Sequence, residues 1–195
     1  MWGAGLRLRS RAVIASLWAL VLCGATSLEP AYFPPTELRN NSSRDGWSKF
    51  LSGMKEQNLA RAPGVDYAVR VTVLRGYLWL LKLEHRDNGQ FVSTYKEFRF
   101  SDQGIVYPVS ERTTQLTNAQ FDQLASEIER EQFLSVREPD YVTTNQCASW
   151  LTEVYDGKNY HALVDALPQM QSRLNAVARA AAAIAGVRLE DNCSR

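Results

Sequence analysis

The chain has 195 residues, 45% of them hydrophobic and 22% charged, with a formal net charge of +1. That length suits one ordinary domain with a real core, and the composition excludes a disordered tail. The near-neutral balance leaves no basic excess to drive nucleic-acid binding through counterion release.

Arg7, Arg9 and Arg11 precede the apolar run 12–23, "AVIASLWALVLC", which is followed by "GATS". A basic start, an apolar run of about a dozen residues and small residues at a cut site spell a secretory signal over residues 1–27. Ala25 and Ser27 take the −3 and −1 places for cleavage before Leu28. The run is shorter than the roughly 20 residues of a spanning helix, which favours a signal over a retained anchor. Leu22 is too large for the residue before a lipid-modified cysteine, so Cys23 is not read as an attachment site. Cleavage would leave 19 Lys+Arg against 21 Asp+Glu, a net charge of −2, and two cysteines, Cys147 and Cys193. In an oxidising compartment two cysteines most simply pair. The expected disulfide closes a loop of about 46 residues, worth at most ~4 kcal/mol by chain entropy. The expected location is secreted or periplasmic, with no transmembrane anchor after cleavage.

Residues 28–45, "LEPAYFPPTELRNNSSRD", carry three prolines and a polar cluster, and read as a linker before a single domain over 46–190. Asn40, Asn41 and Asn192 each satisfy N-x-S and would accept glycans in a eukaryotic secretory host. From 43 to about 60, Trp47, Phe50, Leu51 and Met54 fall at helical spacing and predict an amphipathic helix stopped by Pro63-Gly64.

Strand patterns follow. Tyr67, Val69, Val71 and Val73 alternate with Arg70 and Thr72, and "YLWLLKLEHR" and "FVSTYKEFRF" flank "DNG". Asn88-Gly89 predicts a two-residue hairpin turn. That turn sets Trp79 opposite Phe98 and Tyr77 opposite Phe100 as an aromatic ladder. Leu80 then meets Glu97, Lys82 meets Tyr95, and Glu84 meets Ser93 on the other face. A shorter strand over 105–109 extends the meander. "TNAQFDQLASEIEREQF" predicts a helix with a Thr117/Gln120 capping box and a stripe of Phe121, Leu124, Ala125 and Ile128. "CASWLTEVYDGKNYHALVD" reads as a second hairpin. In "PQMQSRLNAVARAAAAIAG", Pro168 opens a last helix, Met170, Leu174, Val177, Ala181 and Ile184 form its apolar face, and Gly186 ends it. The order predicts an α+β fold: an antiparallel meander sheet and a hairpin, with three helices packed on one face.

Two stretches, "YKEFRFSDQGIVYPVSERTTQLTNAQFDQLASEIEREQFLSV" and "EVYDGKNYHALVDALPQMQSRLNAV", combine a glycine turn between strands, a helix with F-x-x-L-x-x-x-I, a D-G hairpin and a Pro-started helix. In this pattern the chain resembles a family of small exported bacterial domains of unknown function over about residues 95–184. The resemblance rests on core and turn positions, so it implies a fold and carries over no catalytic residue.

The second hairpin holds Cys147, Glu153 and His161. A two-residue Asp156-Gly157 turn would place His161 opposite Thr152, leaving Cys147 about 17 Å further along the strand. Proton transfer needs heavy atoms about 3 Å apart, so no Cys147–His161 dyad is expected. His85 and His161 are the two histidines, and neither lies in H-x-x-x-H spacing, so no metal site or cofactor is expected. His85 reads as a core-edge residue. Glu127 and Glu131 share a helix face away from the apolar stripe and read as solvated. Glu153, among Tyr155 and Tyr160, would have a raised pKa if buried; otherwise it is an exposed cross-strand residue. No Gly-rich phosphate loop, G-x-S-x-G elbow or nucleotide fingerprint occurs. Trp47, Trp79 and Trp150 read as core, while Tyr95, Tyr155 and Tyr160 form the candidate binding patch on the sheet. The functional expectation is an exported, non-catalytic domain that binds a protein or cell-envelope component. The alternative is a small secreted hydrolase with Glu153 as general acid/base.

Overall fold

Between residues 65 and 116 almost every segment favours strand, and the chain folds back on itself repeatedly. A computed structural model describes residues 32–38, 41–75, 77–136, 149–165 and 173–188. Helix α1, Asn41–Gly53, leads into strands β1, Val65–Arg75, β2, Tyr77–Arg86, β3, Phe91–Phe100, and β4, Val106–Leu116. Helix α2, Asn118–Arg130, strands β5, Ser149–Tyr155, and β6, Tyr160–Asp165, and helix α3, Arg173–Ile184, complete it. The strands make one six-stranded sheet in the order β4-β3-β2-β1-β5-β6, with every neighbouring pair antiparallel. The second hairpin thus returns to the open side of β1. The class is α+β, as the element order predicts.

The helices, however, divide between the two faces rather than sharing one. Val69, Val71, Trp79, Leu81, Leu83 and Trp150 pack with Leu124 and Ile128 of α2 and with Val177, Ala178, Ala181 and Ala182 of α3. On the opposite face Leu78, Leu80, Phe98, Leu151 and Ala162 meet Trp47 and Leu51 of α1 and Met54 just after it. The reason lies in "YLWLLKL", which is apolar at both alternating positions; a strand like that needs cover on both sides. Phe33 and Leu38, within the stretch read as linker, join this second core at 1% and 2% exposure, and α1 already begins at Asn41.

The first hairpin is displaced by one residue from the expected pairing. Arg86 N donates to Gln90 O at 2.9 Å and Gly89 N to Arg86 O at 2.8 Å, with Gly89 at φ +77°. This is a three-residue loop, Asp87-Asn88-Gly89, ending in a left-handed glycine. Leu78 therefore pairs with Phe98, and Trp79 with Glu97. A one-residue shift exchanges faces. Trp79 now shares a face with Tyr95, ring centroids 5.9 Å apart, and the Trp79–Phe98 rung does not form. The observed register sorts the apolar residues better, because Phe98 joins Leu78 and Leu80 in the α1-side core.

Strand β4 is longer than 105–109, running through polar sequence to Leu116 because β3 pairs with it along its length. Its register shifts between Glu97 and Phe98, with Pro108 opposite Phe98, a place where an edge strand tolerates proline. Helix α1 stops before Pro63-Gly64. Lys55 takes φ +60°, Glu56 N donates to Leu51 O and Lys55 N to Ser52 O, both at 2.9 Å, which closes the helix in a Schellman motif. Helix α2 carries the full capping box of Thr117 and Gln120. Helix α3 ends at Gly186, φ +66°, with Val187 N bonded to Ala182 O at 2.8 Å. The expected signal over 1–27, the Cys147–Cys193 disulfide, Asn40, Asn192, Pro168 and Met170 lie outside the described residues. Among the described residues, no helix is long and apolar enough to cross a membrane.

Candidate functional site

Strand pairing places Arg70 of β1 directly opposite Glu153 of β5 on the α1 side of the sheet. Both are 0% exposed. Arg70 Nε and Nη2 reach the two Glu153 carboxylate oxygens at 2.6 Å each, a bidentate ion pair. Tyr160, from β6, donates its hydroxyl to Glu153 Oε1 at 2.7 Å. The remaining Arg70 donors meet Gln57 O at 2.9 Å, Glu56 Oε2 at 3.4 Å and the Tyr32 hydroxyl. Lys96 Nζ extends the chain of charges, 2.8 Å from Glu56 Oε1. Burial pushes the Tyr160 hydroxyl well above its usual range, and the adjacent Glu153 charge adds to it.

This geometry removes the hydrolase reading of Glu153. A general acid or base must reach a substrate proton, whereas the Glu153 carboxylate faces no solvent and accepts from Arg70 and Tyr160. Nor is Glu153 an exposed cross-strand residue. Its partner lies 83 positions away, in the alternating run "VRV" of β1. A charge flanked by β-branched residues was the only signal in the sequence, and it does not say which acid answers it.

The three tyrosines of the candidate patch do not form one surface. Tyr95 lies on the α2/α3 side, half-buried beside Trp79, with Arg112 6.0 Å from its ring. Tyr155 and Tyr160 are directly paired and lie on the α1 side, where Tyr160 packs into the second core. Tyr155 donates to Gly157 O at 3.0 Å, within its own turn.

The histidines have structural work. His85 stacks on Phe121 at 4.7 Å and bonds Asp66 at 2.8 Å, consistent with a core-edge role. The loop from Asp156 to Asn159 is four residues long, which puts His161 opposite Val154 rather than Thr152. His161 Nδ1 lies 2.8 Å from Glu37 Oε2, and Nε2 lies 2.7 Å from Val136 O. The ring is thus held from both nitrogens, between the 32–38 segment and the end of the segment after α2. Glu37 also accepts the Ala162 N–H at 2.8 Å, so the 32–38 segment caps the outer edge of β6. Cys147 is outside the described residues, and among those residues no cluster of three or more His, Cys, Asp or Glu could hold a metal ion. Glu127 and Glu131 both bond Arg130 on the α2 surface.

Two surface features remain. Phe100, Ile105, Tyr107 and Val109, at the β3–β4 hairpin tip, are exposed by 43%, 60%, 42% and 48%. A cleft of about 510 Å³ opens between the segment after α1 and the β2–β3 face, with Lys55, Glu56, Lys82, Glu84, Arg86, Asp87 and Lys96 among its walls. Comparison with known proteins finds neither a matching family model nor a matching curated protein.

Proposed function

We propose that the protein is an exported, non-catalytic binding domain, and that another extracellular or envelope protein docks on the β3–β4 hairpin tip. The observation that carries this reading is that four large hydrophobic side chains around one hairpin turn, Phe100 on one face and Tyr107 on the other, are 42–60% exposed. Large apolar side chains exposed together at a hairpin tip suit a contact site. The tip is also held in shape before any partner arrives. Ser101 Oγ accepts the Ile105 N–H at 3.1 Å, Ser101 N donates to Ile105 O at 2.9 Å, and Phe100 sits edge-on against Phe50 at 5.7 Å. Preorganisation lowers the ordering cost of association. The basic, apolar and small-residue pattern of residues 1–27 supports export, a secreted or periplasmic location and a Cys147–Cys193 bridge in the mature chain. The resemblance of residues 95–184 to exported bacterial domains is in keeping with it.

A photo-activatable residue at position 105, compared with one at Glu129 on α2, tests the surface. The expected result is a discrete cross-linked protein species from position 105, lost in a Phe100→Ser/Tyr107→Ser chain that melts at the same temperature. Equal cross-linking from both positions would refute it.

A further inference from the structure

We propose that the cleft beneath the segment after α1 is a binding site for a small, polyhydroxylated organic anion, of the sugar-acid or sugar-phosphate class. It is separate from the hairpin tip. Its walls carry four cations, Lys55, Lys82, Arg86 and Lys96, against three carboxylates, Glu56, Glu84 and Asp87, leaving one positive charge over. Arg70 and Glu153 beneath it cancel each other.

The floor is built rather than incidental. Glu84 and Glu56 are buried, yet each belongs to the cleft wall and is bridged by a lysine, Lys82 to Glu84 at 3.0 Å and Lys96 to Glu56 at 2.8 Å. Arg86 sits only loosely on Glu84, at 3.7 Å, and Lys55 makes no ion pair among the described residues. Those two cations are placed to meet a further anion. Lys82 also lies directly opposite Arg70 on the neighbouring strand, on the same face. Each of the two is already ion-paired, Arg70 to Glu153 and Lys82 to Glu84. An incoming anion would match the remaining positive charge.

The class of ligand follows from what else lines the space. No aromatic ring is among the lining residues, so a neutral sugar has no stacking platform. Lysine and arginine donors suit a carboxylate or phosphate, while the Asp87 carboxylate would accept from ligand hydroxyls. The volume falls within the roughly 300–1,000 Å³ of small-molecule pockets.

The test titrates the full secreted chain with glucuronate, glucose 6-phosphate, glucose and inorganic phosphate, followed by calorimetry and melting temperature. One or both sugar anions should saturate a single site and raise the melting temperature, with glucose and inorganic phosphate at least about tenfold weaker. Which of the two binds tighter distinguishes a sugar acid from a sugar phosphate. Lys55→Glu, at an exposed position, should weaken binding about tenfold without changing the melting temperature of the free chain, and Lys82→Met should weaken it further. Phe100→Ser, at the hairpin tip, should leave it unchanged. Failure of both sugar anions to saturate at ~10 mM would overturn the proposal. So would equal binding of inorganic phosphate alone, or undiminished binding in both lysine variants.

Discussion

Arg70 shows how much a single side chain can decide. Its guanidinium has no exposure and is surrounded by Glu153, Glu56, the Gln57 carbonyl and Tyr32. Buried ion pairs are weak net stabilisers, but breaking one leaves an uncompensated charge that costs about 3–5 kcal/mol. Arg70→Met and Glu153→Leu should each fall in that range by urea denaturation, while the double variant should cost far less than their sum. Additive losses would mean the pair is not coupled. Tyr67 offers a second residue-scale test. Burial raises its hydroxyl well above the usual tyrosine value, with the Asp156 and Glu129 charges adding to it. The folded form therefore holds this proton after the unfolded chain has released it. Stability is unaffected below about pH 10 and falls as pH rises above that value. Tyr67→Phe should lessen the alkaline loss of stability, measured as melting temperature against pH from neutrality upward. An unchanged alkaline slope would exclude Tyr67 as its source.

At the scale of elements, turns set the pairing and pairing sets the faces. The β5–β6 loop is organised by Asp156, whose Oδ1 accepts from Lys158 N at 3.0 Å and Asn159 N at 2.6 Å. Partial burial pushes the Asp156 carboxyl up, but the hydrogen bonds from Asn159 and Lys158 outweigh it and hold the group below its ordinary value. Gly157 follows at φ +88°, and a Cβ there would lie 2.8 Å from the Asp66 carbonyl oxygen. Gly157→Ala meets both a backbone conformation that L side chains rarely adopt and a collision with immovable backbone. It should lose about 1–3 kcal/mol, read by denaturant midpoint. The first hairpin makes the same point about legibility. "DNG" announced a reversal near 88–89, yet only the hydrogen bond from Arg86 N to Gln90 O shows a three-residue loop. That single added residue moves Trp79 and Phe98 to opposite faces.

Across the whole molecule, two apolar cores back onto one sheet, and their covers come from distant parts of the chain. Helices α2 and α3 serve one side; α1 with Phe33 and Leu38 serves the other. The sheet's two edges are treated differently. Glu37 caps β6 through the Ala162 N–H, whereas β4 stays exposed and carries Pro108, Glu111 and Arg112, residue types that discourage further strand pairing. The second face is itself divided. Its apolar half lies under α1, and its charged half, with Lys82, Glu84 and Lys96, opens as the cleft. The cleft proposed for binding is a product of this division.

Local pattern alone was enough for the antiparallel strands, the α2 capping box, the buried tryptophans and the α+β class, because periodicity and capping act between residues a few positions apart. Glu153's burial, its pairing with Arg70, the separation of Tyr95 from Tyr155 and Tyr160, and the placing of α1 on its own face were decided only by the folded chain. Each depends on which strands become neighbours and in what register, and those contacts join residues many tens of positions apart that carry no mark of one another in the linear order.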